Sequence, residues 1–246
     1  YMRGLRNLTL TLNRAGRCEE SLALAERLEN ECYDDVSAAA FKASASLNLG
    51  RFNDALRFSE KILGIHPSES LIAAFASKEL GRTDDARAYF LHAVMNSPRT
   101  VAMVLGQRMP APREYGEARD HNHGISEAQA LNVFLKRQSA SSRRFFVAEW
   151  KDARTAKLLK EIMTLTKEWS ENRSEDRRAF DRLTEMRHDF RTFGTAEVQI
   201  VGGGDGNRAS GREIAAAFGN GELRALARIE ISVAAVAIER HRDGLA

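Results

Sequence analysis

The sequence predicts an all-α chain, with helical hairpins stacked in a solenoid over its first two fifths and further helices beyond. Three observations predict it. Only 4 prolines occur in 246 residues, below the roughly 5% of average usage, and proline interrupts helix interiors and sheet ladders alike. Apolar residues recur at helical spacing almost from the first residue. One short block also returns twice: Gly16-Arg17-Cys18-Glu19-Glu20-Ser21, Gly50-Arg51-Phe52-Asn53-Asp54-Ala55 and Gly81-Arg82-Thr83-Asp84-Asp85-Ala86.

Each element of the repeat has a physical reason. A helix runs into each glycine, with Leu5, Leu8 and Leu12, then Ala39, Ala43 and Leu47, then Leu71, Phe75 and Leu80 on its apolar side. The glycine ends it where a left-handed backbone is needed. The acidic or amide pair opens the next helix, as caps and as partners of its positive end. Ser21, Ala55 or Ala86 then lets the two helices approach closely. The second helices carry Leu22, Ala25 and Leu28, then Leu56, Ser59 and Ile62, then Tyr89, Phe90 and Ala93. Pro67 and Pro98 are expected to close the second and third of them.

These residues resemble the tetratricopeptide (TPR) repeat family. The matching positions are the small residue after the turn (Ser21, Ala55, Ala86), the residue four later (Ala25, Ser59, Phe90), the one three beyond that (Leu28, Ile62, Ala93), and Pro67 and Pro98. The first offset, 34 residues, is the family period; the second is 31. The family's tryptophan and tyrosine positions in the first helix are unfilled. The resemblance covers residues 2–98 and implies a superhelix with a concave groove lined by the first helix of each repeat.

The groove would present Arg3, Arg6, Asn7, Leu10, Asn13 and Arg14 from the first repeat. Ser37, Ala40, Phe41, Ser44 and Asn48 follow from the second, and Leu71, Phe75, Lys78 and Glu79 from the third. Asparagine amides can bond a peptide main chain, and arginine can clamp a carboxylate. A bound peptide, extended or helical and acidic, is the expected ligand. Leu10 and Phe41 stand where the family's clamp for a C-terminal carboxylate needs polar residues.

Residues 99–124 read as a loop-rich connection. Met109-Pro110-Ala111-Pro112 and Tyr115-Gly116 are turn-forming, and Asp120-His121-Asn122-His123-Gly124 reads as a polar loop. Residues 125–193 read as additional helical hairpins. Ser126 would cap a helix bearing Ala128, Leu131, Phe134 and Leu135; Phe145, Phe146 and Trp150 follow on a second. A third carries Leu158, Leu159, Ile162, Leu165 and Trp169, and Ser174-Glu175-Asp176 would cap a fourth bearing Phe180, Leu183, Met186 and Phe190. Lys136, Arg137, Arg143 and Arg144 form the single local basic patch.

Residues 194–246 read as a Gly-rich linker and a C-terminal helical segment. A strand-like run at 197–201 enters Gly202-Gly203-Gly204-Asp205-Gly206, the shape of a dinucleotide-binding turn. Only 37 residues follow Ala209, too few for a nucleotide domain. No cofactor is therefore expected.

Composition excludes other classes. The chain is 43% hydrophobic and 29% charged with a net charge of +3, the balance of a folded, soluble chain. No basic arm marks a nucleic-acid binder, although Arg137, Arg143, Arg144, Arg177 and Arg178 offer that alternative. Cys18 and Cys32 are too few for a disulfide framework or a zinc site, which suits a reducing, cytoplasmic setting. His121 and His123 lack a nearby third metal ligand. No nucleophile, base and orienting acid stand in a recognisable pattern. The start, Tyr1-Met2-Arg3-Gly4, does not read as a signal peptide, and helix periodicity begins at once, which leaves room for sequence upstream. The expected function is that of a scaffold or adaptor, not an enzyme, with a protein or peptide partner. The alternative is a helical regulatory region of a larger enzyme or regulator.

Overall fold

A computed structural model describes residues 1–171 apart from Gly64, His66, Pro67 and Glu114. The expectations for Pro67, the Ser174 cap, the helix around Phe180, the 197–201 strand, the glycine loop, and Arg177 and Arg178 lie outside the described residues. So does that for the Trp169 side chain. Among the described residues the chain is all-α, with eleven helices and no strand.

The first six helices are α1 (Met2–Arg14), α2 (Cys18–Cys32), α3 (Asp35–Leu49), α4 (Phe52–Lys61), α5 (Glu69–Glu79) and α6 (Thr83–Asn96). Each packs on the next, and α1 touches α3 as α3 touches α5. The first helices of the three hairpins are thus neighbours along one side. The predicted glycine turns are all left-handed, with φ of 78° at Gly16, 77° at Gly50 and 76° at Gly81. The arginine N–H after each glycine returns to a carbonyl five residues back: Arg17 to Leu12 at 2.9 Å, Arg51 to Ser46 at 2.9 Å, Arg82 to Ser77 at 2.8 Å. This backbone pattern satisfies the last carbonyls of each first helix.

The predicted side-chain caps do not form. Arg17, Arg51 and Arg82 hold the N-cap positions of α2, α4 and α6, and none makes a side-chain cap bond. The acidic residues lie instead in the first turn, as Glu19 and Glu20, Asp54, and Asp84 and Asp85. There they face the positive helix end. Leu8 is also 49% exposed, since among the described residues no helix covers it.

Tyr33 closes α2 in the left-handed region at φ 53°. Asp34 N–H then reaches Leu28 O at 3.2 Å, one residue further back than in the glycine turns. A side chain pays about 1 kcal/mol or more for this backbone. Tyr33 is 86% exposed, so it has little packing to lose. Tyr33→Gly is expected to raise the urea unfolding free energy by about 0.5–1 kcal/mol; an unchanged midpoint would contradict the strained backbone.

Asp34 then starts α3. Its carboxylate accepts Ser37 N–H at 3.3 Å and Arg6 Nε at 2.6 Å. Burial opposes its ionisation, but the bonds from Arg6 and Ser37 and the Arg6 charge outweigh it and hold the carboxyl below its usual range. A depressed acid stabilises the fold above its unfolded pKa of about 3.9, and that stability is lost as pH falls through the folded pKa. Asp34→Ala is expected to cost about 1 kcal/mol at pH 7. The gap from the parent chain should narrow below about pH 4; an equal gap at both pH values would show that charge plays no part.

The expected loop at 99–124 is mostly helical: α7 (Pro98–Val104) and α8 (Tyr115–Ala130). Pro98 opens α7 instead of closing the hairpin before it. Asp120 to Gly124 lie within α8, and Ser126 is interior to that helix, not its cap. Two contacts explain this. The Asp120 carboxylate accepts the N–H groups of Arg99 at 2.8 Å and Thr100 at 3.1 Å, capping α7 from another helix. Gly124 lies where an added Cβ would stand 2.9 Å from Thr100 Cα, so glycine permits the two backbones to meet. Gly106, at φ 65°, ends α7 with the same turn as the three Gly-Arg blocks; Gln107 N–H reaches Ala102 O at 2.7 Å. Buried Arg99 ties down the proline-containing connection, donating to Pro110 O and to Glu117, each at 2.6 Å.

The chain continues through α9 (Asn132–Arg137), α10 (Ala140–Lys151) and α11 (Ala153–Glu171). Ser139 caps α10 by accepting Ser142 N–H at 3.0 Å. The core is threaded by aromatic rings at 4.8–6.5 Å between centroids, running Phe52, Phe134, Phe75, Phe146, Phe90. These rings join α4, α9, α5, α10 and α6, so the later helices share one core with the hairpins. No helix among the described residues is long and apolar enough to cross a membrane.

Candidate functional site

The side formed by α1, α3 and α5 is the candidate site. The structure divides the residues predicted to line it. Towards the ends of α1 and α3 they face the chain itself, because α8 packs on α1, α9 on α3 and α10 on α5.

Asparagines hold this cover in place. Asn13 Nδ2 donates to Ser44 Oγ at 3.0 Å and to Ala130 O at 3.3 Å. Asn48 Nδ2 donates to Asn13 Oδ1 at 2.9 Å and to Ala130 O at 2.7 Å. Asn48 Oδ1 accepts Phe134 N–H at 2.9 Å. The last bond satisfies a free N–H in the first turn of α9, whose own N-cap residue, Leu131, makes none. Two short helices, α7 and α9, are thus capped by side chains from elsewhere in the chain. Asn132 Nδ2 donates to Arg14 O at 2.9 Å, and Arg14 donates to Ser126 Oγ at 2.5 Å. The asparagines do bond a peptide main chain, and that main chain is the protein's own.

Phe75 is fully buried beneath Phe134 and Phe146. Lys78 Nζ lies 4.2 Å from the Phe145 ring centre. Asn13, Ser44, Asn48 and Phe75 are therefore core residues. They offer nothing to a ligand from solution while α8–α10 are in place.

The starts of α1 and α3 differ. Arg3 and Asn7 are exposed, and Arg6 and Phe41 are half-buried. Phe41 packs against the small cluster of Leu5, Leu28 and Ala38. The Asp34 carboxylate fixes the guanidinium of Arg6. This part pairs cations with a partly open aromatic ring.

Other candidate groups resolve simply. Cys18 is buried with its Sγ 3.5 Å from Asn13 Oδ1, and burial pushes its thiol pKa up, away from reactivity. Both cysteines are free. On α8, His121 and His123 are two residues apart and diverge by about 200° around the axis, so they do not chelate together. No group of three His, Cys, Asp or Glu among the described residues is arranged to hold a metal. Ser70 hydrogen-bonds His92 Nδ1, and both residues are buried. In the basic patch, Lys136 and Arg137 end α9 while Arg143 and Arg144 lie near the start of α10, all exposed.

Sequence reasoning missed the segment Ala130–Phe134 as the occupant of the site. Its apolar spacing was visible, but nothing in that spacing distinguishes a helix packed on its own chain from one packed elsewhere. The chain matches no family model, and no curated protein or solved structure matches it either.

Proposed function

We propose that this protein is an interaction scaffold or adaptor built on a TPR-type solenoid, binding an acidic peptide or protein segment on the open part of its concave face. The carrying observation is the division of that face. Its own residues 126–146 cover one part, while Arg3, Arg6, Asn7 and Phe41 remain at the other. Arg6 is held in a fixed position by Asp34, which reduces the ordering cost of clamping a carboxylate. Phe41 supplies apolar area beside the charges. The hairpin turns, the contacts between successive first helices and the main-chain bonds of Asn13 and Asn48 support a face suited to polypeptide.

Site-specific photo-crosslinking tests the reading. A photoreactive phenylalanine replaces Asn7 in one variant, and Ala23, exposed on α2, in another. A partner captured from position 7, absent from position 23 and lost on adding Arg3→Glu, is the expected result. Equal products from both positions would reject it.

A further inference from the structure

We propose that the α9–α10 corner is a second docking surface, distinct from the concave face, for a carboxylate-rich peptide segment. Between Glu127 and Glu149 lie 21 residues without a single Asp or Glu. The stretch carries four cations, Lys136, Arg137, Arg143 and Arg144, all exposed. The two bracketing glutamates are buried, and Glu149 is paired with Arg87 at 2.9 Å. Neither neutralises the corner.

Three exposed arginines elsewhere carry carboxylates: Arg17 pairs with Glu20, Arg51 with Glu19, Arg57 with Asp54. Among the described residues none of the four corner cations has such a partner. Arg137 spends one N–H on Asn48 O at 3.4 Å, and Arg144 spends one on Ala140 O at 3.2 Å. Both contacts are to uncharged carbonyls and leave the remaining donors of each fork available.

Arg143 and Arg144 are the fourth and fifth residues of α10, just past the first turn in which the helix dipole acts. Lys136 and Arg137 end α9, where cations suit the dipole. The two pairs meet across a short connection fixed by Gln138 Nε2 on Ser142 Oγ at 3.3 Å and by the Ser139 cap. Residues 136–144 thus carry three arginine forks and one ammonium around a single helix-helix connection. Forks match carboxylates in bidentate geometry.

The observations favour a peptide over a nucleic acid. The patch is confined to one corner, and the turns beside it are ion-paired. The whole chain carries only +3, a weak net field for a phosphate backbone. The exposed large apolar residues, Tyr1, Met2, Leu8, Tyr33, Tyr115 and Ile125, all lie outside 128–148. The stretch therefore offers no exposed ring for base stacking.

Fluorescence anisotropy on the full chain tests this, with a labelled glutamate-rich peptide and a single-stranded oligonucleotide of equal charge as probes. Arg143→Glu combined with Arg144→Glu is expected to weaken the peptide about tenfold or more, equivalent to about 1.4 kcal/mol. The thermal midpoint should hold, because both side chains are exposed and, among the described residues, neither is ion-paired. Placed in an Arg3→Glu background, where the concave face is already disabled, the double variant should show the same loss, so this surface and the concave face fail independently. Peptide affinity unaltered by the double variant would overturn the proposal. So would tighter binding of the oligonucleotide at the same salt, or no binding of the peptide at low salt.

Discussion

Replacing Phe146 by alanine is expected to destabilise the protein by about 3–5 kcal/mol, the range for emptying a large aromatic site. Phe146 is fully buried, with Phe75 at 4.8 Å, Phe145 at 5.0 Å and Phe90 at 5.5 Å. Those rings belong to α5, α10 and α6, which limits how far the site can collapse and places the cost high in the range. Domains have about 5–15 kcal/mol in all, so the loss is a large share. Urea unfolding followed by circular dichroism measures it. Phe146→Leu keeps most of the volume and should lose less than half as much. A loss under about 1 kcal/mol for alanine would mean that α10 is not part of the hairpin core.

Asn48→Ala is the second large effect, at about 3 kcal/mol. Its amide makes three buried hydrogen bonds, to Asn13, Ala130 and Phe134. Truncation leaves the Phe134 N–H without its partner and removes one donor from Ala130 O; each orphaned buried group costs about 1–3 kcal/mol. Asn48→Asp keeps the acceptor for Phe134 but sets a carboxylate oxygen against Ala130 O and Asn13 Oδ1. It should therefore be no better than alanine at neutral pH. Asn7→Ala, at an exposed position of the same face, should stay within about 0.5 kcal/mol of the parent. Equal effects at 7 and 48 would show that the asparagine contacts contribute nothing.

Asn48 also shows where the sequence was legible and where it was not. The helix ends at Gly16, Gly50 and Gly81 were readable because a left-handed backbone narrows the residue choice to glycine. The buried stripes of α10 and α11 were readable because apolar spacing is a local property. Asn48 was recognised as a group suited to main chain, but its ligand lay more than eighty residues away. No local pattern carries that information. The helix through Asp120–Gly124 was hidden for a related reason. Its glycine and asparagine disfavour helix locally, and the compensation comes from α7: two N–H groups for Asp120 and a backbone that only glycine can approach. Tyr33 misleads in the opposite direction, since a bulky side chain in a left-handed turn gives no sign of that turn. The exposed Leu8 carries the helical period without the burial that period implies.

The bond between Asn13 and Ala130 spans 117 residues, whereas the hairpin turns close within six. Folding can therefore proceed at two scales. The hairpins gain their contacts early, because short loops lose little entropy on closing and local contacts form fast. The seam along Asn13 and Asn48 must wait for a distant part of the chain to arrive. The entropic cost of that closure rises only with the logarithm of loop length, so it weighs more on the time of arrival than on the final stability. Until then Phe75 has neither Phe134 nor Phe146 above it, and the apolar floor of α3 and α5 stands open to any chain nearby. The fold's most exposed moment is thus the interval between building its hairpins and covering them.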